Sequence, residues 1–388
     1  MTNPSALLPL PLILDQLKAC SEPPFEQARP IPGAVHHSRA FLNHECQSVF
    51  MKEWICIGRE DELALPGDYL THHIAQVPVL VVKQDDHSLS AFVNVRAHRF
   101  ACLVPDKQGR AKRFTCRYHA WTYDLNGALL RAPYMDMSDD FRPQDHNLKP
   151  LRLAIWEGFI YVTLCDDPKL APPQQRLSPL TDRVVGQFDM ARYQSVLRES
   201  MTWRANWKNL VENFIESYHV PIAHGQTFAQ HNKPLTDYRC GEDHDHYCYH
   251  LAPQPGETGP GAAHRDNKTL VGKWRRMMVD FCVFPCHLVT LMPDYLWYIT
   301  VQPNGTDEMV ATWGVAIPPE NLAEIPDEEK SDWIERFKRY IDIANGEDKT
   351  LVEALHIGSR ASTLPSGTFH PIERNLWQFN RYLSRMCC

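Results

Sequence analysis

From about residue 56 to residue 165 the chain breaks into short β-type runs, and two pairs of metal-ligand residues fall at turns between them. The runs are WICIG, YLTHHI, PVLVVKQ, LSAFVNV, AKRFTC and GFIYVTL, punctuated by Pro66-Gly67, Asp85-Asp86 and Asn126-Gly127. Apolar and β-branched runs bounded by such turn signals predict a small all-β domain. Asn94 to His98 reads NVRAH, and Cys116 to His119 reads CRYH. At turns the backbone can curl around a metal, so this stretch is constrained to bring two loops together.

An iron–sulfur centre of mixed ligation needs two thiolates on one iron and two imidazoles on the other. His98, Cys116 and His119 provide three of the four, and the position two before His98 holds Arg96. A guanidinium stays protonated and has no acceptor lone pair, so it cannot replace a thiolate. Three readings follow. The cluster is lost and the domain is structural; or Cys102, four residues after His98, substitutes as a ligand; or His98, Cys102, Cys116 and His119 hold zinc, which accepts two cysteines and two histidines.

A second ligand pattern lies downstream. His219 and His224 flank Pro221, and two imidazoles with one carboxylate suit non-haem Fe(II) with open positions for dioxygen and substrate. Glu212 and Glu216 are the nearby acids; Glu216 stands three residues before His219, on the same face if the segment is helical. Asp348 is the best distant third ligand, with Glu347 beside it. An HxxxxH pair alone is a weak signal in a chain with 19 histidines.

Around these patterns, residues 39–55 have helical spacing, with Phe41, Cys46, Phe50 and Trp54 near one face. WKNLVENFIESYHV at 207–220 reads as a helix that Pro221 ends or kinks. Residues 232–270 read as a long polar loop, a candidate lid. Strands follow in MMVDFCVF, HLVTLMP, YLWYITVQP and MVATWGVAI, then a helix from Asp332 to Tyr340 and another after Gly346. Residues 1 to about 35 are Pro-rich and wrap over another part of the fold.

Composition excludes several classes. A net charge of −7 offers no nucleic-acid surface, and no run approaches a membrane span. The twelve cysteines are scattered, unlike a disulfide scaffold, and fit a reducing compartment. The start lacks a basic n-region and reads as mature cytoplasmic sequence. Cys387–Cys388 reads as an exposed oxidation liability.

The blocks KEWICIGRE near residue 52, AFVNVRAHR at 91–99, FTCRYHAWTYDLNG at 114–127, WEGFIYVTL at 156–164, ANWKNLVENFIESYHVPIAH at 205–224 and GEDKTLVE at 346–353 occur in one characteristic order. Through them the chain resembles the catalytic α subunits of Rieske non-haem iron aromatic-ring-hydroxylating oxygenases, in the group that includes choline and carnitine monooxygenase-like proteins. The resemblance implies an α+β chain with an N-terminal arm at 1–40, an all-β Rieske-like domain at 41–165, and a helix-grip catalytic domain at 166–388 in which helices flank an antiparallel sheet. It implies Fe(II) at His219, His224 and Asp348, with Asn213 beside the iron. His98, Cys116 and His119 correspond to ligands of a [2Fe–2S] cluster, shielded by Tyr118 and Trp121. Glu216 corresponds to an acidic bridge toward His119 of a neighbouring subunit. Arg96 and Phe100 depart from the family pattern, which often has Gly at the latter.

The implied activity is O2-dependent hydroxylation or oxidative demethylation of a small organic substrate. The implied partners are a homotrimer and an NAD(P)H-dependent reductase or ferredoxin. Arg96 leaves two alternatives open: a cluster-free mononuclear metalloenzyme with non-redox or substrate-driven chemistry, or a non-catalytic α-like partner subunit. Phe281, Phe284, Leu291, Tyr295, Trp297 and Trp313 are candidate pocket residues, able to cage a quaternary ammonium or hold a planar acid. Lys273, Arg275 and Arg276 are candidate carboxylate binders or solvated surface.

Overall fold

The computed structural model describes residues 8–228, 235–256, 258–361 and 367–388. The chain divides into two compact units, Phe50–Gln174 on one side and Met1–Val49 with Gln175–Cys388 on the other. The first unit has ten strands: β1 (Trp54–Arg59), β2 (Asp68–Ile74), β3 (Val77–Lys83), β4 (Leu89–Val93), β5 (Gln108–Arg110), β6 (Phe114–Thr115), β7 (Thr122–Tyr123), β8 (Leu129–Arg131), β9 (Pro150–Trp156) and β10 (Phe159–Thr163). Seven form an antiparallel sheet in the order β1-β10-β9-β4-β3-β2-β5, and β6-β7-β8 form a smaller one. In β3, Val79 through Val82 are all fully buried, so this strand is apolar on both faces. Leu80, Val82, Phe92, Phe114, Trp121 and Tyr123 pack into one core that also takes in Cys116.

The second unit carries β11 (Gln194–Trp203), β12 (Arg239–Cys240), β13 (Tyr247–Pro253), β14 (Met277–Val283), β15 (His287–Leu291), β16 (Leu296–Pro303) and β17 (Met309–Ile317). They form one antiparallel sheet in the order β11-β17-β16-β15-β14-β13-β12. Strands β12 to β17 are a meander in chain order, and β11 joins at the far edge against β17. Helices Trp207–Phe214, Asp327–Gly358 and Arg374–Cys387 flank it. The α+β class and the helix-grip arrangement expected from the sequence are both present. No described helix is long and apolar enough to cross a membrane.

Several local expectations are corrected. Helical structure beginning at Arg39 ends at Phe50, and Trp54 opens β1 instead of completing the helix. Residues 232–270 are not one loop. They contain β12 and β13, the latter held by seven paired positions on β14 from Tyr247↔Val283 to Pro253↔Met277. Residues 229–234 and 257 lie outside the described residues. The basic cluster clamps the remaining loop: Arg275 donates to the carbonyls of Ala263, His264, Asn267 and Leu270, and Arg276 to those of Gly259 and Pro260. Lys273 lies 4.9 Å from the Trp274 ring centre. Cys387 is buried, against the expectation of an exposed terminal pair.

The two expected C-terminal helices are a single one of 32 residues that runs straight through Gly346. A glycine inside a helix costs about 1 kcal/mol. Here that cost is offset by burial on one continuous stripe, Ile341, Ala344, Asn345, Asp348, Val352 and His356, spaced at three and four residues as a helix face requires.

Candidate active site

The helix Trp207–Phe214 starts with the Asn206 side chain accepting from Lys208 N–H, and it stops at Phe214, earlier than the expected 220. Glu216 accounts for the change of course. Its carboxylate accepts the N–H groups of Tyr218 and of His219, the latter at 3.2 Å, so these donors find a side-chain acceptor instead of a helical carbonyl. Pro221 does not kink this helix. It sits in the first turn of the next short one, Val220–Ala223, where a missing N–H costs nothing. His219 immediately precedes that turn and His224 immediately follows it.

The long helix brings Asp348 to both imidazoles. Its Oδ1 lies 3.5 Å from His219 Nε2 and 3.2 Å from His224 Nε2. The three groups make a set of convergent ligand atoms. Oδ1 is buried without a hydrogen-bond partner, as expected of an atom aimed at a metal. The other ring nitrogens are backed by carboxylates: His219 Nδ1 is 2.5 Å from Glu216 Oε1, and His224 Nδ1 is 3.0 Å from Glu347 Oε2. Imidazole ligands oriented by outer carboxylates are the usual build of a metal centre. Two imidazoles and one carboxylate on a single side fit Fe(II) with open coordination positions. Glu347 faces the far side of His224 and is further held by Thr227 Oγ1 and Gln226 N–H at 2.5 and 2.9 Å. Asn213 Nδ2 stands 3.4 Å from His219 Nε2. Glu212 turns away and pairs with His36 at 3.1 Å.

Without metal, burial would push the His219 pKa down, but the negative charges of Asp348 and Glu216 beside its two ring nitrogens outweigh it and raise it to about 10. Asp348 is held below its ordinary value; burial works against this, and both imidazoles overcome it. His219 in the metal-free protein is therefore protonated at neutral pH, and a metal must displace that proton. Apparent iron affinity should rise by about tenfold per pH unit between pH 7 and 9, measured by anaerobic iron titration; a pH-independent affinity would contradict the assignment. Because the folded value lies above the unfolded one, the metal-free protein should lose stability as pH rises from 6.5 toward 10.

Glu347→Gln keeps the shape but removes the negative charge behind His224. Iron affinity should fall by about 10–100-fold, read in the same titration.

Aromatic rings surround one side of His224. Phe228 lies 5.1 Å from it, centre to centre, and also touches Trp297 and Tyr340; Phe214 packs edge-on against Trp297. Of the six candidate pocket residues, Trp297 connects to the metal site through these rings. Phe284 packs against Phe379 and Tyr382, Tyr295 against Phe337, and Phe281 against His287. Sequence reasoning missed Phe214, Phe228 and Tyr340. Phe228 is four residues after His224, a spacing that could have marked it.

A second His–His–Asp group, also unforeseen, joins His37, Asp307 and His356. His356 Nε2 and Arg360 Nη2 both meet Asp307 Oδ1, at 2.9 and 3.0 Å, and His37 Nε2 meets Ser359 Oγ at 2.9 Å. The guanidinium already neutralises the carboxylate. This network ties the start of the chain to the end of the helix that carries Asp348.

In the β unit, His98 and His119 come together, their ring centres 4.9 Å apart, with Trp121 stacked on His98. Between them lies Arg96, whose Nη1 donates to His98 Nδ1 at 3.0 Å and to His119 Nδ1 at 2.7 Å. Burial and then the adjacent Arg96 charge hold both imidazoles below their ordinary pKa. Cys116 is buried, and its Sγ accepts from Tyr118 N–H at 3.5 Å. Cys102 is exposed and its thiol is directed to Val104 O at 3.5 Å. Among the described residues, the set His98, Cys102, Cys116 and His119 does not converge into a ligand group, against the substitute-ligand and zinc readings. Phe100 is 86% exposed and adopts φ 54°, a backbone state that favours glycine.

An antiparallel helix-grip unit in which two imidazoles and one carboxylate converge, in the same chain as a separate antiparallel β unit, defines a mononuclear non-haem metal scaffold. Residues 190–388 match the family described as "Ring hydroxylating alpha subunit (catalytic domain)", and residues 53–147 match "Rieske [2Fe-2S] domain". The chain belongs to the ring-hydroxylating alpha subunit family. It is 32% identical over 194 residues to the glycine betaine monooxygenase oxygenase subunit of Chromohalobacter salexigens, covering 50% of this chain and 43% of that protein. It is 33% identical over 207 residues to the carnitine monooxygenase oxygenase subunit of Escherichia coli, covering 53% and 54%. The chain thus spans about half the length of the curated relatives it matches. Its fold resembles that of naphthalene 1,2-dioxygenase from Rhodococcus sp. (TM-score 0.81, 18% identity, 96% and 98% of the two chains). It also resembles the quaternary ammonium Rieske monooxygenase CntA with L-carnitine (TM-score 0.76, 22% identity, 93% and 96%).

Proposed function

We propose that this chain is an oxygenase component that hydroxylates or oxidatively demethylates a small organic substrate with O2 at iron held by His219, His224 and Asp348. The observation that carries this reading is the convergence of two Nε2 atoms on a buried, unpartnered Asp348 Oδ1, with a carboxylate behind each ring. Iron bound there would supply dioxygen activation. The chain's own residues would fix the ligand geometry, and Glu216 and Glu347 would hold the Nδ1 proton of each imidazole. Asn213 would border the metal-facing side of His219. Phe214, Phe228, Trp297 and Tyr340 would exclude water and bind substrate.

Those ring faces suit a methylated ammonium group, which aromatic side chains attract. The relatives named for glycine betaine and carnitine point to the same class. Homotrimeric assembly, a cytoplasmic setting, and a reductase or ferredoxin as the source of electrons complete the reading. Glu216, on the outer nitrogen of His219, would be the acidic bridge toward His119 of a neighbouring subunit.

The test is anaerobic loading with Fe(II), followed by reductant, O2 and a panel of betaines and aromatic acids. One iron per chain and substrate-dependent aldehyde release from a methylated ammonium compound are expected. Failure of the chain to bind iron would refute the reading. Trp297→Ala should raise KM by about 10-fold, as loss of a desolvated cation–π contact predicts, with little change in bound iron.

A further inference from the structure

The fourth ligand position of the β unit is held by a side chain that reaches the point where the two imidazoles converge. Arg96 is fully buried, while Ala97, His98, Arg99 and Phe100 beside it are exposed. The backbone explains the difference. Arg96 N–H donates to Ala101 O at 3.0 Å, and Val95 bridges to Cys102, so the loop is a narrow hairpin whose base turns residue 96 inward. The guanidinium carbon then lies 5.5 Å from the Tyr118 ring centre and 5.7 Å from that of Trp121.

Nη1 carries two N–H bonds and no lone pair to offer, so each imidazole receives one of them at Nδ1. Both rings must therefore carry their own proton on Nε2. A metal bound to the same two nitrogens would stand about 2.0–2.1 Å from each. Nη1, at 3.0 and 2.7 Å, already fills that space. Guanidinium and metal exclude each other there, and a second cation beside a buried guanidinium would meet little screening. The residues present do not fit a [2Fe–2S] cluster, and the reason is an added group as well as a missing thiolate.

We propose that the Arg96 side chain has taken the cluster's place: it bridges His98 and His119, keeps the two ligand loops in register, and leaves this β unit without an electron relay of its own. If the oxygenase reading above holds, the two electrons that reduce one oxygen atom to water come from a separate redox protein. The displacement of the cluster stands without that reading.

The full-length chain, reconstituted anaerobically with Fe(II) and sulfide, tests it through acid-labile sulfide, iron content and visible absorbance. The wild-type chain is expected to retain no sulfide, with its iron confined to the His219/His224/Asp348 site and lost in a His219→Ala, His224→Ala double variant. Arg96→Cys should gain about two irons and two sulfides per chain with new visible bands. About two sulfides on the wild-type chain would overturn the proposal, as would a folded Arg96→Cys variant that gains none. Histidine nitrogen chemical shifts of the wild-type chain decide the bridge independently of any variant. Nε2–H tautomers at both His98 and His119 are expected, and an Nδ1–H tautomer at either would overturn it. Loss of iron from the mononuclear site with sulfide still absent would count against the oxygenase reading alone.

Discussion

Asp348→Ala should leave the protein folded and unable to retain iron. Among the described residues, Oδ1 is the carboxylate oxygen that approaches both Nε2 atoms, at 3.5 and 3.2 Å, and Glu347 cannot stand in because it faces Nδ1 on the other side of His224. The loss should exceed the roughly 10–100-fold expected for an outer carboxylate. After anaerobic loading and gel filtration the variant should carry no stoichiometric iron and show no substrate-dependent O2 uptake. Full iron retention would move the third ligand elsewhere. Asp348→Glu, which keeps the carboxylate on a longer arm, should recover part of the iron but little of the turnover.

Lys208→Met should destabilise the unit that carries the metal site strongly. Lys208 and Glu45 are both 0% exposed, with Nζ 2.7 Å from Oε1. Trp207 Nε1 donates to the other oxygen at 3.3 Å, and Nζ lies 5.6 Å from the Phe41 ring. Removing one partner of a buried pair strands the other charge, at a cost of about 3–5 kcal/mol, measurable by urea unfolding. Burial already holds the Glu45 carboxyl above its ordinary pKa. A raised folded value means the folded state binds the proton more tightly, so the loss in Lys208→Met should shrink toward pH 5 and grow toward pH 8. Glu45→Gln combined with Lys208→Met should recover much of the stability. A single variant as stable as the parent would show that the pair contributes nothing net.

Much of the site was legible because ligand chemistry leaves sequence marks at short range. His219, His224 and Glu216 are close in sequence, and Asp348 stood out as the best distant acid, with Glu347 beside it left open until the family resemblance favoured Asp348. Their local conformation was not legible: the spacing of Leu210, Phe214 and Tyr218 suggests one helix to residue 220, whereas Glu216 captures backbone donors and ends it. Gly346 misled in the opposite sense, since a tertiary stripe from Ile341 to His356 overrides its low propensity. The aromatic wall was missed because Phe214 and Tyr340 come from helices distant in sequence. Arg96 could be read as a lost ligand. That its side chain turns inward and bridges both imidazoles depends on a hairpin whose register no local pattern states.

The uninterrupted helix through Gly346 makes the metal site a matter of mechanical tolerance. Glu347 and Asp348 are consecutive, so the helix turns them about 100° apart, and each reaches a different nitrogen of His224. Ile341 lies seven residues upstream, about 10 Å along the axis, and is fully buried. A change in how Ile341 seats would arrive at the iron ligand as rotation and slide of a rigid rod, not as a local adjustment. Variation far from the metal site can therefore shift the Asp348 carboxylate against both imidazoles without altering any of the three ligand residues.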